Sequence, residues 1–248
     1  MLTVELRPGE QLDDLVINNW KIIQPQRGFR FSFDAVALAH FATVKKHTVA
    51  ADLGTGTGVI AMLLCARGAA RVEAVELAPE MADLARRNGV LNELQAKMTV
   101  HHGDMRHIRG VLPSGIFDLV VSNPPYRQVG GGFLNTSAQA AVARHELTAT
   151  LDDVLAAARY LVKYRGRFAM VHLPERLTDI QAGMRHYGLE PKRLRMVHPT
   201  LTKKPNMILI EGIRGAKAGL EVLPPLAIYD NTGAYDPEIL AWYGGGTA

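Results

Sequence analysis

The stretch TVAADLGTGTGVIAMLLCAR, residues 48–67, decides how the chain is read. TVAADL is a short apolar run ending on Asp52 and fits a buried strand, whereas TGVIAMLLCAR is too long for a strand, lacks β-branched alternation and predicts a helix. Between them Gly54, Gly56 and Gly58 let the backbone turn sharply and approach a ligand closely. Strand, glycine loop and helix open an α/β sheet of the kind that binds ligands at the carboxyl ends of its strands.

The alternation continues outward. RVEAVEL (71–77), MTVHHGD (98–104), FDLVVS (117–122), GRFAMVHL (166–173), KRLRMVHP (192–199) and NMILIEGIR (206–214) read as further strands. PEMADLARRNGVLN (79–92), LDDVLAAARYLVKY (151–164) and PERLTDIQAGMRHYG (174–188) read as the helices between them. Upstream, Asp34 is placed as the N-cap of a short helix over AVALAHFA. RQVGGGFLNTSAQAA, residues 127–141, has no period and reads as a loop. The expectation is an α/β fold with seven strands in a mostly parallel sheet and helices on both faces. No repeat or linker divides residues 1–248, so one domain is expected, with residues 1–46 as a leader and 47–248 as the core.

Composition removes whole classes of function. With 248 residues, 48% apolar and 21% charged, the chain can bury a core and is not disordered. No run approaches the ~18–20 apolar residues of a membrane span, and the polar, acidic start is unlike a secretory signal, so a cytoplasmic protein is expected. The lone Cys65 rules out an internal disulfide and a thiolate cluster, and the histidines lack ligand spacing, so no metal is expected. His101 and His102 read as strand residues without catalytic duty. The net charge of +4 is uneven: between Arg159 and Lys217 thirteen Lys or Arg face four acids, a net of +9 against −5 elsewhere. Such a basic segment, with Lys203 and Lys204 within it, points to a polyanionic partner such as nucleic acid.

The acids of the other half point to the ligand. A dinucleotide fingerprint needs a glycine three places after Gly56, where Val59 stands, and Asp52 two places before Gly54 would repel a pyrophosphate. Glu76 ends the second strand, 24 positions after Asp52, where a carboxylate accepts the two hydroxyls of a ribose. Asp104 ends the third strand and is placed to receive an exocyclic amine. Three acids and a glycine loop describe a site for a positively charged adenosine without phosphate, as S-adenosylmethionine is.

The fourth strand ends in Asn123-Pro124-Pro125-Tyr126. A planar amine on a ring or acyl group is a poor nucleophile, and methylating it calls for acceptors that hold its N–H bonds while positive charge grows on nitrogen. The Asn123 side-chain carbonyl and the Pro124 backbone carbonyl are such acceptors, fixed by two prolines. Tyr126 would stack on the flat acceptor. Adenine N6 is one such amine; guanine N2, an adenine of DNA or a protein glutamine amide are others, and a non-catalytic RNA-binding protein that holds the cofactor is a further reading.

On these residues the chain resembles the Rossmann-like class I S-adenosylmethionine-dependent methyltransferases with an N-P-P-Y motif. Within them it is most similar to bacterial enzymes of the N6 amine of adenine 37 in valine tRNA. RFSFDAVALAHF (30–41), ARHE (143–146) and PPLAIYDNTGAYDPEI (224–239) carry the resemblance beyond the glycine loop. It implies cofactor or amine contacts by Asp52, Gly54, Gly56, Glu76, Asp104 and Asn123, with Phe33 and Asp34 beside the methionine end. Lys203, Lys204 and Arg144 are candidate RNA contacts, Arg144 by following a glycine loop, Gly130 to Gly132, that differs among relatives.

Overall fold

The computed structural model describes residues 4–15, 17–27, 32–125 and 149–243. The opening unit folds as strand β3 (Val49–Leu53), the glycine loop and helix α2 (Val59–Ala66). Outward follow β4 (Arg71–Glu76), α3 (Pro79–Leu91), β5 (Met98–His102) and β6 (Phe117–Ser122). Then come α4 (Leu151–Leu161), β7 (Val162–His172), α5 (Leu177–His186), β8 (Leu189–His198) and β9 (Met207–Arg214). All seven expected strands are present, and two-residue strands β10 (Glu221–Val222) and β11 (Leu226–Ala227) add to β8, giving a nine-stranded sheet. Its order is β10-β8-β9-β7-β6-β3-β4-β5, with β11 following β10 along the same edge of β8 and β9 antiparallel to β7 and β8.

This order fixes where a ligand can sit. From β3 the chain builds toward β5 on one side, then returns to add β6 and β7 on the other, so the direction of winding reverses between β3 and β6. An open α/β sheet has its crevice at that switch point, beyond the carboxyl ends of the strands. The carboxyl ends of β3 to β8 all lie on this edge, as does the β8–β9 turn.

Both faces of the sheet are covered, which is why its strands are continuous apolar runs. In β7, Ala169 and Val171 face the core built on α1 (Phe33–Phe41) and α2, while Phe168 and Met170 face the core built on α4 and α5. Helix α4 begins on a reciprocal cap: the Thr150 hydroxyl accepts from the Asp153 amide, and the Asp153 carboxylate from the Thr150 amide.

Three local expectations are corrected. Helix α1 (Phe33–Phe41) starts two residues earlier than expected: Ser32 has the extended cap backbone, and Asp34 lies inside the first turn, accepting from the Ala35 amide at 2.9 Å. Helix α4 ends at Leu161, three residues short of Tyr164, because Val162 already pairs with Phe117 and Arg165 takes a left-handed φ of 64°. The N-terminal segment, expected to be a polar lead-in, is an antiparallel hairpin of β1 (Glu10–Asp14) and β2 (Lys21–Pro25) outside the main sheet. Side chains of α3 stand in for the missing neighbour strand. Asn88 accepts from Ile23 N at 2.6 Å and donates to Ile23 O at 2.9 Å, and Asn92 makes the same pair with Lys21. Arg87 grips Glu10 through both carboxylate oxygens.

Candidate active site

The glycine loop is held from three sides. Gly54 and Thr55 donate their amides to Val75 O at 2.9 and 3.1 Å, which lays the loop against the end of β4. Gly56 donates to Glu76 Oε2 at 2.8 Å, and Ala78 at the start of α3 donates to the other oxygen at 2.9 Å. From beneath, buried Asn88 donates to Thr57 O at 2.9 Å, tying loop, α3 and hairpin together. Gly58, which closes the loop, has φ of 86°, and a Cβ there would lie 2.9 Å from the Met98 methyl carbon. Neither the backbone nor the space admits another residue.

Above the loop, at the switch point, opens a cavity of about 470 Å3. Gly54 and Gly56 form its floor; Asp34, Glu76, Asp104 and Asn123 stand in its walls. Three of its described wall residues are carboxylic acids and none is Lys, Arg or His. The Ser122 hydroxyl donates to Leu53 O at 2.9 Å, fixing the start of Asn123-Pro124-Pro125 against the end of β3. Pro124 is buried and Pro125 exposed. Both, like Asn123, border the cavity.

The expected site residues divide by position. Asp34, Gly54, Gly56, Glu76, Asp104, Asn123 and Pro124 converge on one cavity. Asp52 does not reach its wall: it is fully buried beneath the loop, accepting from the Thr55 hydroxyl at 2.6 Å. Burial, reinforced by the nearby Glu76 charge, raises its pKa to about 7, so near neutrality a large part of it is uncharged. Asp104 borders the cavity, but Arg106 already engages both its oxygens at 2.6–3.0 Å and holds its pKa below the usual carboxylate value. Phe33 turns away, its ring stacked 6.1 Å from that of Trp242. Tyr126, Gly130 to Gly132, Arg144, His145 and Glu146 lie outside the described residues. His101, a strand residue as expected, meets Glu73 across the β4–β5 pair at 2.7 Å.

Two residues went unremarked in the sequence. Ser32 borders the cavity, and its hydroxyl bonds to Asp34. Asn88 braces the loop from below, and its signal was present: it interrupts the buried helical stripe of Ala82, Ala85 and Gly89. A polar residue on such a stripe must find partners.

The basic segment is less uniform than its count. Among the described residues six of its thirteen cations are in ion pairs: Lys163 with Asp118, Arg167 and Arg193 with Glu211, Arg176 with Asp179, Arg185 with Glu190, and Arg195 with Glu238. Lys203 and Lys204 are exposed in the β8–β9 turn, on the same edge of the sheet as the cavity.

Residues 50–131 match the family described as "Methyltransferase domain". In three dimensions the chain is similar to a predicted O-methyltransferase from Agrobacterium tumefaciens, with a TM-score of 0.68 and 24% identity over 87% of this chain and 98% of that one. It is 30% identical, over 86% of its length and 89% of the relative's, to a tRNA1(Val) (adenine(37)-N6)-methyltransferase from Photobacterium profundum. Another protein of that name, from Porphyromonas gingivalis, is 31% identical over 91% of each chain. Identity at that level over nine-tenths of both chains makes this chain a member of the tRNA1(Val) (adenine(37)-N6)-methyltransferase family.

Proposed function

We propose that this chain transfers a methyl group from S-adenosylmethionine to the exocyclic N6 amine of adenine 37 in a valine tRNA, acting as one catalytic unit in the cytoplasm. The observation that carries the reading is a cavity walled by three acids and no described cation, bordered on one side by Asn123 and Pro124. With Asp104 already paired to Arg106, Asp34 and Glu76 leave the wall anionic, which disfavours phosphate and suits the sulfonium and amine of S-adenosylmethionine. The volume falls within the ordinary range for small-molecule sites. When bound, the cofactor supplies a methyl group on a positively charged sulfur.

The chain's own residues bind and orient. Glu76 is held by two backbone amides, one on each oxygen, and each oxygen keeps acceptor capacity for a ribose hydroxyl. Asp34 and Ser32 also border the cavity and are assigned to the methionine portion. Asp52, from below, fixes Thr55 and so the loop backbone on which the cofactor lies. Asn123 and Pro124 offer two carbonyl oxygens to the N–H bonds of the target amine; their pull strengthens as nitrogen becomes positive, so they favour the transition state over the ground state.

The test is incubation with labelled S-adenosylmethionine and tRNA from cells lacking the modification, followed by nucleoside mass spectrometry. N6-methyladenosine is the expected product, and Asn123→Ala should slow its formation by about 10²–10³. Label in a different nucleoside, or in protein alone, would overturn the acceptor; an Asn123→Ala enzyme working at the parent rate would overturn the amine clamp.

A further inference from the structure

The segment 224–239 carries part of the family likeness, yet none of it borders the cavity. At its centre two tyrosines are built into a rigid, exposed stack. Tyr229 and Tyr235 face each other across an antiparallel bridge, ring centroids 5.1 Å apart and planes 26° from parallel. The turn joining them is organised by Asp230, whose Oδ1 accepts from Thr232 N, the Thr232 hydroxyl and Ala234 N at 2.7–3.0 Å. Its ends are anchored to the sheet. Ile228 and Tyr229 donate their amides to His198 O and Pro199 O, and Asp236 donates to Ile228 O.

Stacked aromatic rings held so firmly would ordinarily be buried. These remain 38% and 46% exposed. The backbone bonds to His198 and Pro199 place them beside the β8–β9 turn, next to exposed Lys203 and Lys204, whose side chains pair with no acid among the described residues. This position is on the cavity edge of the sheet. β11, whose continuation carries Tyr229, pairs with β8 on the side away from β9, so its end is four strand spacings from the end of β6, where Asn123 stands, or roughly 19 Å.

We infer that Tyr229 and Tyr235 form a stacking platform for an unpaired base of the substrate RNA near the target adenine, with Lys203 and Lys204 taking the adjoining phosphates. The inference rests on the RNA reading proposed above and adds the residues that grip the strand outside the catalytic cavity. Single-stranded nucleic acid is held by this combination of aromatic faces and nearby cations. The turn between the rings is polar, Asp-Asn-Thr-Gly-Ala, and in the adjoining β8–β9 turn the one exposed aliphatic side chain, Leu201, is flanked by Lys203 and Lys204.

The test uses the full chain and a stem-loop RNA containing the target adenine, with 5-iodouracil placed in turn at each neighbouring loop position. Irradiation should attach one such position to the peptide containing Tyr229 or Tyr235, whereas no crosslink to this peptide from any position overturns the platform. Tyr229→Leu and Tyr235→Leu should each raise KM for tRNA by about 5- to 100-fold. kcat at saturating tRNA and affinity for S-adenosylhomocysteine should stay near parent values, and Tyr235→Phe should restore KM because the ring face is retained. Unchanged KM in the Leu variants, or their loss of self-association with no effect on tRNA, overturns the inference in favour of a protein contact. Wild-type protein that neither binds nor methylates any tRNA overturns the RNA reading itself and the platform with it.

Discussion

Asp52 separates what a sequence says about an acid from what its surroundings do to it. Its place at a strand end before a glycine loop was legible, as were those of Glu76 and Asp104, because short apolar runs mark where strands stop. Its burial was not legible, since that depends on α2 and the loop closing over it, nor was the engagement of Asp104 by Arg106, two residues away on the following turn. The raised pKa of Asp52 has a consequence for stability. The unfolded carboxyl loses its proton near pH 4 and the folded one near 7, so in that window the folded state binds the extra proton and stability falls as pH rises. Asp52→Asn keeps an oxygen for the Thr55 hydroxyl and removes the titration. Its stability relative to the parent should grow between pH 4 and 7, by roughly 1–4 kcal/mol in total, and level off above. Urea denaturation across that range decides it: parallel pH profiles would mean that Asp52 ionises like an ordinary aspartate.

Among the elements, the long apolar strands and helices were legible, while the β1–β2 hairpin was not, because its buried apolar residues, Leu15, Ile22 and Ile23, form no long run and its backbone is completed by side-chain amides of α3. The same holds for the joint between the two ends of the chain. Helix α6 (Pro237–Trp242) brings Trp242 to stack on His40 of α1, centroids 4.7 Å apart and nearly parallel, while Arg195 holds Glu238 through both oxygens. Burial, with the Arg67 charge nearby, pushes the His40 pKa down to about 4. A histidine with a depressed pKa stabilises the docked state above its free value near 6.5, and that contribution is lost as pH falls toward 4. Undocking α6 is one way for His40 to gain its proton, so Trp242 emission should shift to the red between pH 6.5 and 4, before global unfolding. His40→Phe retains a flat ring and should abolish the shift; a shift that persists in this variant assigns the transition to another group.

Over the whole molecule, the excess of positive charge was legible as a count, but its placement depends on which cations the fold consumes internally. Glu211 shows the effect: it is completely buried, takes Arg167 and Arg193 as partners, and accepts from both the amide and the hydroxyl of Thr43 at 2.7 and 2.8 Å. Those two arginines join the end of α1 to β7, β8 and β9, and so are committed to the fold. Lys203 and Lys204 differ in being exposed, unpaired among the described residues, and on the edge of the sheet that carries the cavity. RNA binding through phosphate contacts releases counterions, so affinity falls linearly with salt on logarithmic axes, with a slope set by the number of contacts. Charge reversal of both residues, Lys203→Glu with Lys204→Glu, should weaken tRNA association and make the slope shallower by about 1.4–1.8, two contacts at ~0.7–0.9 each. Affinity for S-adenosylhomocysteine should be unaffected, because neither lysine borders the cavity. Arg193→Met should behave oppositely, costing stability through the unpaired share of Glu211 while leaving the salt slope in place. Filter binding over a range of salt concentrations, with denaturation of the same variants, separates the two roles: a parental slope in the doubly reversed protein would place the phosphate contacts away from the β8–β9 turn.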